Sequence, residues 1–324
     1  MKLRIGRLAA VAVIALFAQA AAAATDKPEC IAPAKPGGGF DLTCKLAQGA
    51  LLDTKLIKDP MRVTYMPGGI GAVAYNAIVA QRPAEGNTII AFSGGSLLNL
   101  ALGKFGKYNE NDVRWLAAIG ADYGMVAVRS DSPYKSLKDL MEALKTDPSK
   151  IAFGAGGSVG SQDWTKAALI ARAAGVDPKT FRFVAFEGGG EAFTALLGGH
   201  VQVVSGDASE ASSQLEAGKI RVLAILADER LPGQLHGIPT AKEQGYDVEW
   251  PIIRGFYMGP KVSDADYNYW VDAFNKVMAT KEFAKLREER GLFPFTKIGA
   301  ALDVYIKKTV PEYKKIAVDF GLVK

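Results

Sequence analysis

Six times along the chain a short run of apolar, β-branched or aromatic residues stops at glycine, and a stretch with helical spacing follows. The runs are ECIAPAKPGGG from Glu29, RVTYMPGG from Arg62, TIIAFSGG from Thr88, KIAFGAGG from Lys150, FRFVAFEGGG from Phe181 and VQVVSGD from Val201. Apolar strands alternating with helices are what a parallel sheet covered on both faces requires, so the fold class is α/β. The helices carry their own signals. In SPYKSLKDLMEALK, Ser136 is a candidate N-cap with Asp139 three residues on, and Leu137, Leu140, Met141 and Leu144 share one face. In SDADYNYWVDAFNKVM, Ser263 and Asp266 repeat the device ahead of Trp270, Phe274 and Val277.

At 324 residues the chain exceeds the size at which a single core stops growing, so two lobes are expected. Extended segments at Met125 to Ser130 and Asp247 to Pro260 are the candidate crossings between them, and the helical segments after Pro260 can return to the first lobe. Lys2, Arg4 and Arg7, an apolar run from Leu8 to Ala18, and small residues at Ala21 and Ala23 read as an export signal over residues 1–24. That run is shorter than the roughly 20 residues of a spanning helix. Its removal takes three positive and no negative charges, lowering the formal charge from +5 to +2. Near neutrality without a Lys/Arg-rich run argues against nucleic-acid or membrane-surface binding. Cys30 and Cys44, the only cysteines, read in an exported chain most simply as a disulfide, with two free thiols as the alternative. Only His200 and His236 are available as imidazole ligands and neither is near the cysteines in sequence, so no metal site is expected.

At the carboxyl end of a parallel strand, glycine lets backbone N–H groups approach an anion at the head of the next helix. One such loop is ordinary turn chemistry. Six in one chain suit two lobes facing a shared cleft that takes a carboxylate, phosphate or sulfate. Two enzyme motifs compete. Gly69 to Ala74 (GIGAVA) satisfies the dinucleotide fingerprint, but the next strand ends at Ser93 with no acidic residue for a ribose hydroxyl, so no nucleotide cofactor is expected. Gly156 to Gly160 (GGSVG) matches a nucleophile elbow, and a secreted serine hydrolase using Ser158, Asp207 and His236 stands as the alternative of another class. Against it, 35 glycines make a chance match easy and a long segment still follows His236. Ser158 or Ser161 can instead cap the next helix. Arg254, Lys35 and Arg129 are the cations placed for a cleft, with Asp41 and Asp207 beside glycine loops.

These segments resemble, in order, the periplasmic receptors of tripartite tricarboxylate transporters, the TctC or Bug family. The matching stretches are PAKPGGGFDLTCK, YMPGGIGAVAYN, FGAGGSVGSQDW, VAFEGGGEAFTALLGGHVQVVSGDASE, GKIRVLAI and IPTAKEQGYDVEWPIIRGFYMGP. The resemblance implies a type II periplasmic-binding-protein fold, with a central, mostly parallel sheet in each lobe and ligand between the lobes. Residues 25–127 and 248–324 would form the first lobe and 128–247 the second. It implies a non-enzymatic monomer without cofactor that captures a small carboxylate in the periplasm and delivers it to a large and a small permease subunit. Carried over by position, the ligand contacts fall on Gly37, Gly38, Gly39, Phe40 and Asp41, on Pro67 and Gly68, and on Ser93 and Gly94. In the second lobe they fall on Ser158, Val159, Gly160 and Ser161, and on Gly188, Gly189 and Asp207. Cys30 and Cys44 look like a disulfide-bearing subgroup. Arg254 ahead of Gly255 puts a cation at the lobe crossing, which suits a tricarboxylate such as citrate, with a C4 dicarboxylate as the nearest rival. Glu187 and Glu191 work the other way.

Overall fold

The computed structural model describes residues 26–323, so the export-signal reading of residues 1–24 lies outside the described residues. Strands β1 (Glu29–Ala32), β2 (Arg62–Tyr65) and β3 (Thr88–Ser93) pair in parallel in the order β2-β1-β3. Strands β5 (Ala152–Gly156), β6 (Arg182–Phe186) and β7 (Val203–Asp207) do the same in the order β6-β5-β7. These are the six glycine-terminated runs.

One long strand joins the two triplets. Up to Tyr123, β4 (Arg114–Arg129) runs antiparallel to β9 (Pro251–Met258), which also pairs with β3. From Gly124 onward it runs antiparallel to β7 and to β8 (Ile220–Leu226). A two-residue strand, β10 (Lys297–Ile298), completes the mixed, curled sheet beside the first half of β4. The expected crossing at Met125 to Ser130 is thus the second half of a strand whose apolar run already begins at Trp115.

Adjacent strand residues alternate between two faces, and both faces are covered. Over the first triplet, α1 (Gly39–Asp53) and α8 (Asp264–Met278) bury Cys30, Ala32, Ile89 and Ala91. On its other face α2 (Ala72–Ala80), α3 (Gly94–Ala101) and the start of α10 (Ala300–Asp319) bury Ile31, Ile90 and Phe92. Over the second triplet, α4 (Leu137–Thr146) and α5 (Gln162–Ala173) cover one face, and α6 (Gly189–Leu197) and α7 (Ala208–Glu216) the other. The short helix α9 (Lys281–Glu289) packs on α1 and α8.

Local signals produce these helices as expected. Ser136 Oγ accepts from Asp139 N, the Asp139 carboxylate accepts from Ser136 N, and Leu137, Leu140, Met141 and Leu144 are buried. Ser263 caps α8 likewise, and Trp270, Phe274 and Val277 are buried. The C-terminal helix does more than return to the first lobe. It begins there on Leu302 and Ile306, then stacks Tyr313 on Trp250 at 5.9 Å and, beyond its end, sets Phe320 edge-on to Trp164 at 5.8 Å. No helix among the described residues is long and apolar enough to cross a membrane.

Cys30 on β1 and Cys44 on α1 are bonded to each other, 14 positions apart, and fully buried. The bridge ties the ends of the PGGG turn. Replacing both by serine removes a constraint on the unfolded chain, and urea denaturation should show a loss of about 3 kcal/mol. An unchanged midpoint would mean that the surrounding packing alone holds the turn.

Candidate functional site

The strand ends and helix heads of both triplets meet in one cleft. It is lined from the first lobe by Ala34, Gly38, Gly39, Phe40, Ile70, Ser93, Gly95, Asn99 and Arg254, and from the second by Gly156, Ser161, Gln162, Asp163, Gly188, Gly189, Asp207 and Glu210. Its free volume is about 40 Å³, room for a water or two and not for a carboxylate of several carbons. Outside it, sharing Ile70, Asn99 and Ser161, opens a groove of about 360 Å³ that also takes in Ser158, Lys104, Glu187 and Glu191. A ligand therefore enters only if the lobes part.

Three of the five helix starts at this cleft lack a side-chain cap, as does α10 outside it, which begins after Gly299. Gly38, Gly188 and Asp207, at the heads of α1, α6 and α7, make no side-chain cap hydrogen bond. Ser136, Ser263 and Thr280 cap α4, α8 and α9, which do not line it. Without a cap the positive end of the helix dipole faces the cleft, and the protein's own carboxyl groups use two of these heads: Glu210 Oε1 accepts from Gly39 N at 2.5 Å and Asp122 Oδ1 from Ser209 N at 3.2 Å. At α3 and α5, also in the cleft, Ser93 and Ser161 provide caps.

Beneath the loops lies a buried charge network. Arg254 on β9 donates through Nε and Nη2 to Asp122 Oδ2 at 3.1 and 2.7 Å, and through Nη2 to Asp207 Oδ2 at 2.6 Å. Lys166 donates to Asp207 Oδ1 at 2.6 Å and to the Gly206 carbonyl at 2.7 Å, and its Nζ lies 2.7 Å from Asp163 Oδ1. Asp122 also accepts from Ser209 Oγ at 2.5 Å. Arg254 is 1% exposed and Lys166 not at all, so both charges require these partners. The cation expected at the lobe crossing, Arg254, does line the cleft, with Nε and Nη2 engaged by two aspartates and Nη1 beside Gly39.

With every group ionised, three aspartates against two cations give the network a formal charge of one negative. Burial pushes the carboxyls of Asp122 and Asp163 up, against the charges of Arg254 and Lys166. Burial would raise Asp207 as well, but Lys166 and Arg254 together hold it below the usual carboxylate range. Glu210 is half-buried at the head of α7, and its Oε1 accepts from Gly39 N at 2.5 Å. Burial, with the charge of Asp207 adding to it, pushes Glu210 up to about 8.

The glycines allow close approach. A Cβ on Gly39 would lie 2.0 Å from Arg254 Nη1, and one on Gly189 would lie 1.8 Å from Glu210 Oε2. Neither position needs an unusual backbone, so contact selects glycine there.

Of the residues expected at the site, Gly38, Gly39, Phe40, Ser93, Ser161, Gly188, Gly189, Asp207 and Arg254 line the cleft. Gly94 is the buried first residue of α3 beside them. Asp41 does not line it: its carboxylate accepts from Gly37 N, Lys45 and Tyr65 at 2.9, 2.8 and 2.9 Å and braces the first loop. Pro67 is exposed, Gly68 precedes the turn at Ile70, and Gly160 packs near Leu322. Val159 is exposed and its carbonyl accepts from Lys104 at 3.2 Å. Lys35 pairs with Glu191 at 2.6 Å across the mouth, and Arg129 pairs with Asp131 far from it. The Ser158, Asp207, His236 arrangement is not assembled. Both Asp207 oxygens are taken by Lys166, Arg254 and Gln162, Ser158 is exposed in the outer groove, and His236 is exposed in the turn after Leu235. Asp122, Asp163, Lys166, Glu210, Asn99 and Gln162 are additions that the sequence reading missed. A lone carboxylate in the apolar run WLAAIGADYGMVAV was the available signal for Asp122.

A family model described as the tripartite tricarboxylate transporter family receptor, TctC, matches residues 52–322. The chain belongs to the TctC receptor family. A UPF0065 protein of Cupriavidus necator is 27% identical to it over 341 residues, covering 99% of this chain and 97% of that one. In fold this TctC receptor is similar to MatC from Rhodopseudomonas palustris with bound malate, at a TM-score of 0.78 and 20% identity, covering 90% of this chain and 98% of the other. It is also similar to an R. palustris protein with adipate, at 0.80 and 18%, covering 91% and 97%. These likenesses establish the periplasmic-binding-protein fold.

Two consequences of the network are measurable. Arg254→Met strands Asp122 in the interior, leaving Asp207 to Lys166, and should cost about 3–5 kcal/mol in urea denaturation, with Arg254→Lys recovering only part because an ammonium lacks the planar fork. Between its ordinary 4.5 and about 8, Glu210 holds a proton in the fold that the unfolded chain has released. Stability should therefore fall as pH rises through that window and level off above it. Glu210→Gln should flatten the slope; identical slopes in both proteins would show that Glu210 does not carry the proton.

Proposed function

We propose that this protein is an exported periplasmic receptor that closes its two lobes on a small carboxylate of low charge and hands it to the two membrane subunits of a tripartite transporter. The observation that carries the reading is the convergence of uncapped helix starts from both lobes on one cleft. Backbone N–H groups there are fixed before a ligand arrives, so an anion gains their dipoles without reorganising the site. The receptor family supports transport, and malate and adipate in the similar structures support a carboxylate.

Charge decides among carboxylates. A trianion such as citrate would enter beside a network whose formal charge is already one negative, with Arg254 and Lys166 engaged by its aspartates. Dipoles alone would then offset three more charges. A mono- or dicarboxylate adds less repulsion, so the tricarboxylate expected from Arg254 gives way to the rival class.

Thermal melts and calorimetry with a panel of mono-, di- and tricarboxylates test this. A ligand at about 100 times its Kd should stabilise the protein by about 2.7 kcal/mol, because only the folded lobes bind it. A mono- or dicarboxylate should do so and citrate should not. Citrate as the tightest ligand would refute the charge argument. Silence from the whole panel, together with ester hydrolysis lost in Ser158→Ala, would replace the receptor by a hydrolase.

A further inference from the structure

Two amide side chains reach the cleft from opposite lobes. Asn99 lies on α3 and is 3% exposed; Gln162 begins α5 and is 8% exposed. Each has one end engaged. Asn99 Nδ2 donates to the carbonyls of Gly69 and Ile70 at 3.4 and 3.3 Å, and Gln162 Nε2 lies 3.3 Å from both oxygens of Asp207. Those partners are all acceptors, so turning either amide would set oxygen against oxygen. The orientation of both groups is fixed.

Their other ends have no partner. Asn99 Oδ1 and Gln162 Oε1 are buried in the cleft and accept no hydrogen bond. Gln162 Oε1 faces the head of α3, where a Cβ on Gly95 would lie 3.1 Å away, so it stands at the seam between the lobes. Buried acceptors are expensive to leave unmatched. A carboxylate cannot match them, because an ionised carboxylate only accepts.

Building on the carboxylate reading above, we infer that the ligand carries a hydrogen-bond donor on its carbon chain at Asn99 and Gln162: an ammonium donates to both amide oxygens, whereas a hydroxyl, with one O–H, donates to one of them. The helix starts take the carboxylate, and the two amide oxygens select acids that are hydroxy- or amino-substituted over plain ones. Because one acceptor comes from each lobe, an ammonium reaches both oxygens only when the lobes are together, and for such a ligand specificity and closure use the same two hydrogen bonds.

Calorimetry of the mature protein with matched series tests this: succinate, malate and aspartate; propionate, lactate and alanine; adipate, 2-hydroxyadipate and 2-aminoadipate. In a series that binds, the hydroxy or amino acid should bind at least about tenfold more tightly than the plain acid. A preference for the hydroxy member identifies a neutral donor and a preference for the amino member a cationic one. Gln162→Met should bring the ratio toward one, whereas a merely structural loss would weaken both members alike and leave the ratio standing. Equal or tighter binding of the plain acid in every binding series overturns the inference, and an unchanged ratio in both Gln162→Met and Asn99→Leu overturns the assignment to these residues. No binding in any series overturns the carboxylate reading itself.

Discussion

The ion pairs of Arg254 hold the two halves of the molecule at their charged centre. Its backbone belongs to β9, between β3 and β4, and its guanidinium reaches Asp207 at the end of β7 while gripping Asp122 just before β4 changes partners. Much of the cleft follows from that position. Gly39 has to lack a side chain because the guanidinium occupies the space a Cβ would need. Asp207, drawn from one side by Arg254, is held from the other by Lys166, which must therefore rise from the first turns of α5 beside Asp163. The head of α7 is then fixed next to the head of α1, where Glu210 meets Gly39.

Two covalent crossings join the lobes, β4 at Tyr123 and Gly124 and the chain entering β9 at Trp250, and α10 bridges them by packing on both. The bridging helix has its own weak point. Pro311 lies inside α10 between Val310, packed on the first lobe, and Tyr313, stacked on Trp250, and a proline there removes one helical hydrogen bond. Parting the lobes must also release side-chain contacts at the mouth. Lys35 with Glu191 is an exposed pair, worth up to about 1 kcal/mol, and Lys104 meets only a carbonyl.

The glycine-ended runs made the six parallel strands and their helices legible in the sequence, because burial on both faces and a turn at each strand end leave strong local marks. Half of the cleft lining was legible for the same reason: Gly38, Gly39, Gly188 and Gly189 stand in those turns. The charge network was not. Asp122 and Arg254 are 132 positions apart, and their pairing exists only because β4 and β9 are neighbours. Arg254 alone therefore read as a ligand cation. Asn99, Gln162 and Glu210 look like ordinary polar residues in the first turns of helices, and only their placement shows that Asn99 and Gln162 keep an unmatched oxygen at the seam. The hydrolase motif failed through the same blindness to distance, since Asp207 is taken by two cations that sequence order does not bring near it.

Glu210 also indicates what the first loop accepts. Its carboxyl oxygen lies 2.5 Å from Gly39 N at the uncapped head of α1, so the protein itself places a carboxyl group where a helix dipole favours one. Burial keeps that carboxyl protonated to about 8, which spares the cleft a second net negative charge. A carboxylate at these donors would bring its charge with it, and every charge beyond the first would be set against Asp163 and Asp207. Amide dipoles recognise carboxylates generically, so they cannot by themselves distinguish one acid from another. Discrimination has to come from groups that a carboxylate does not satisfy, and on the reading proposed above those are the two unmatched amide oxygens, one from each lobe.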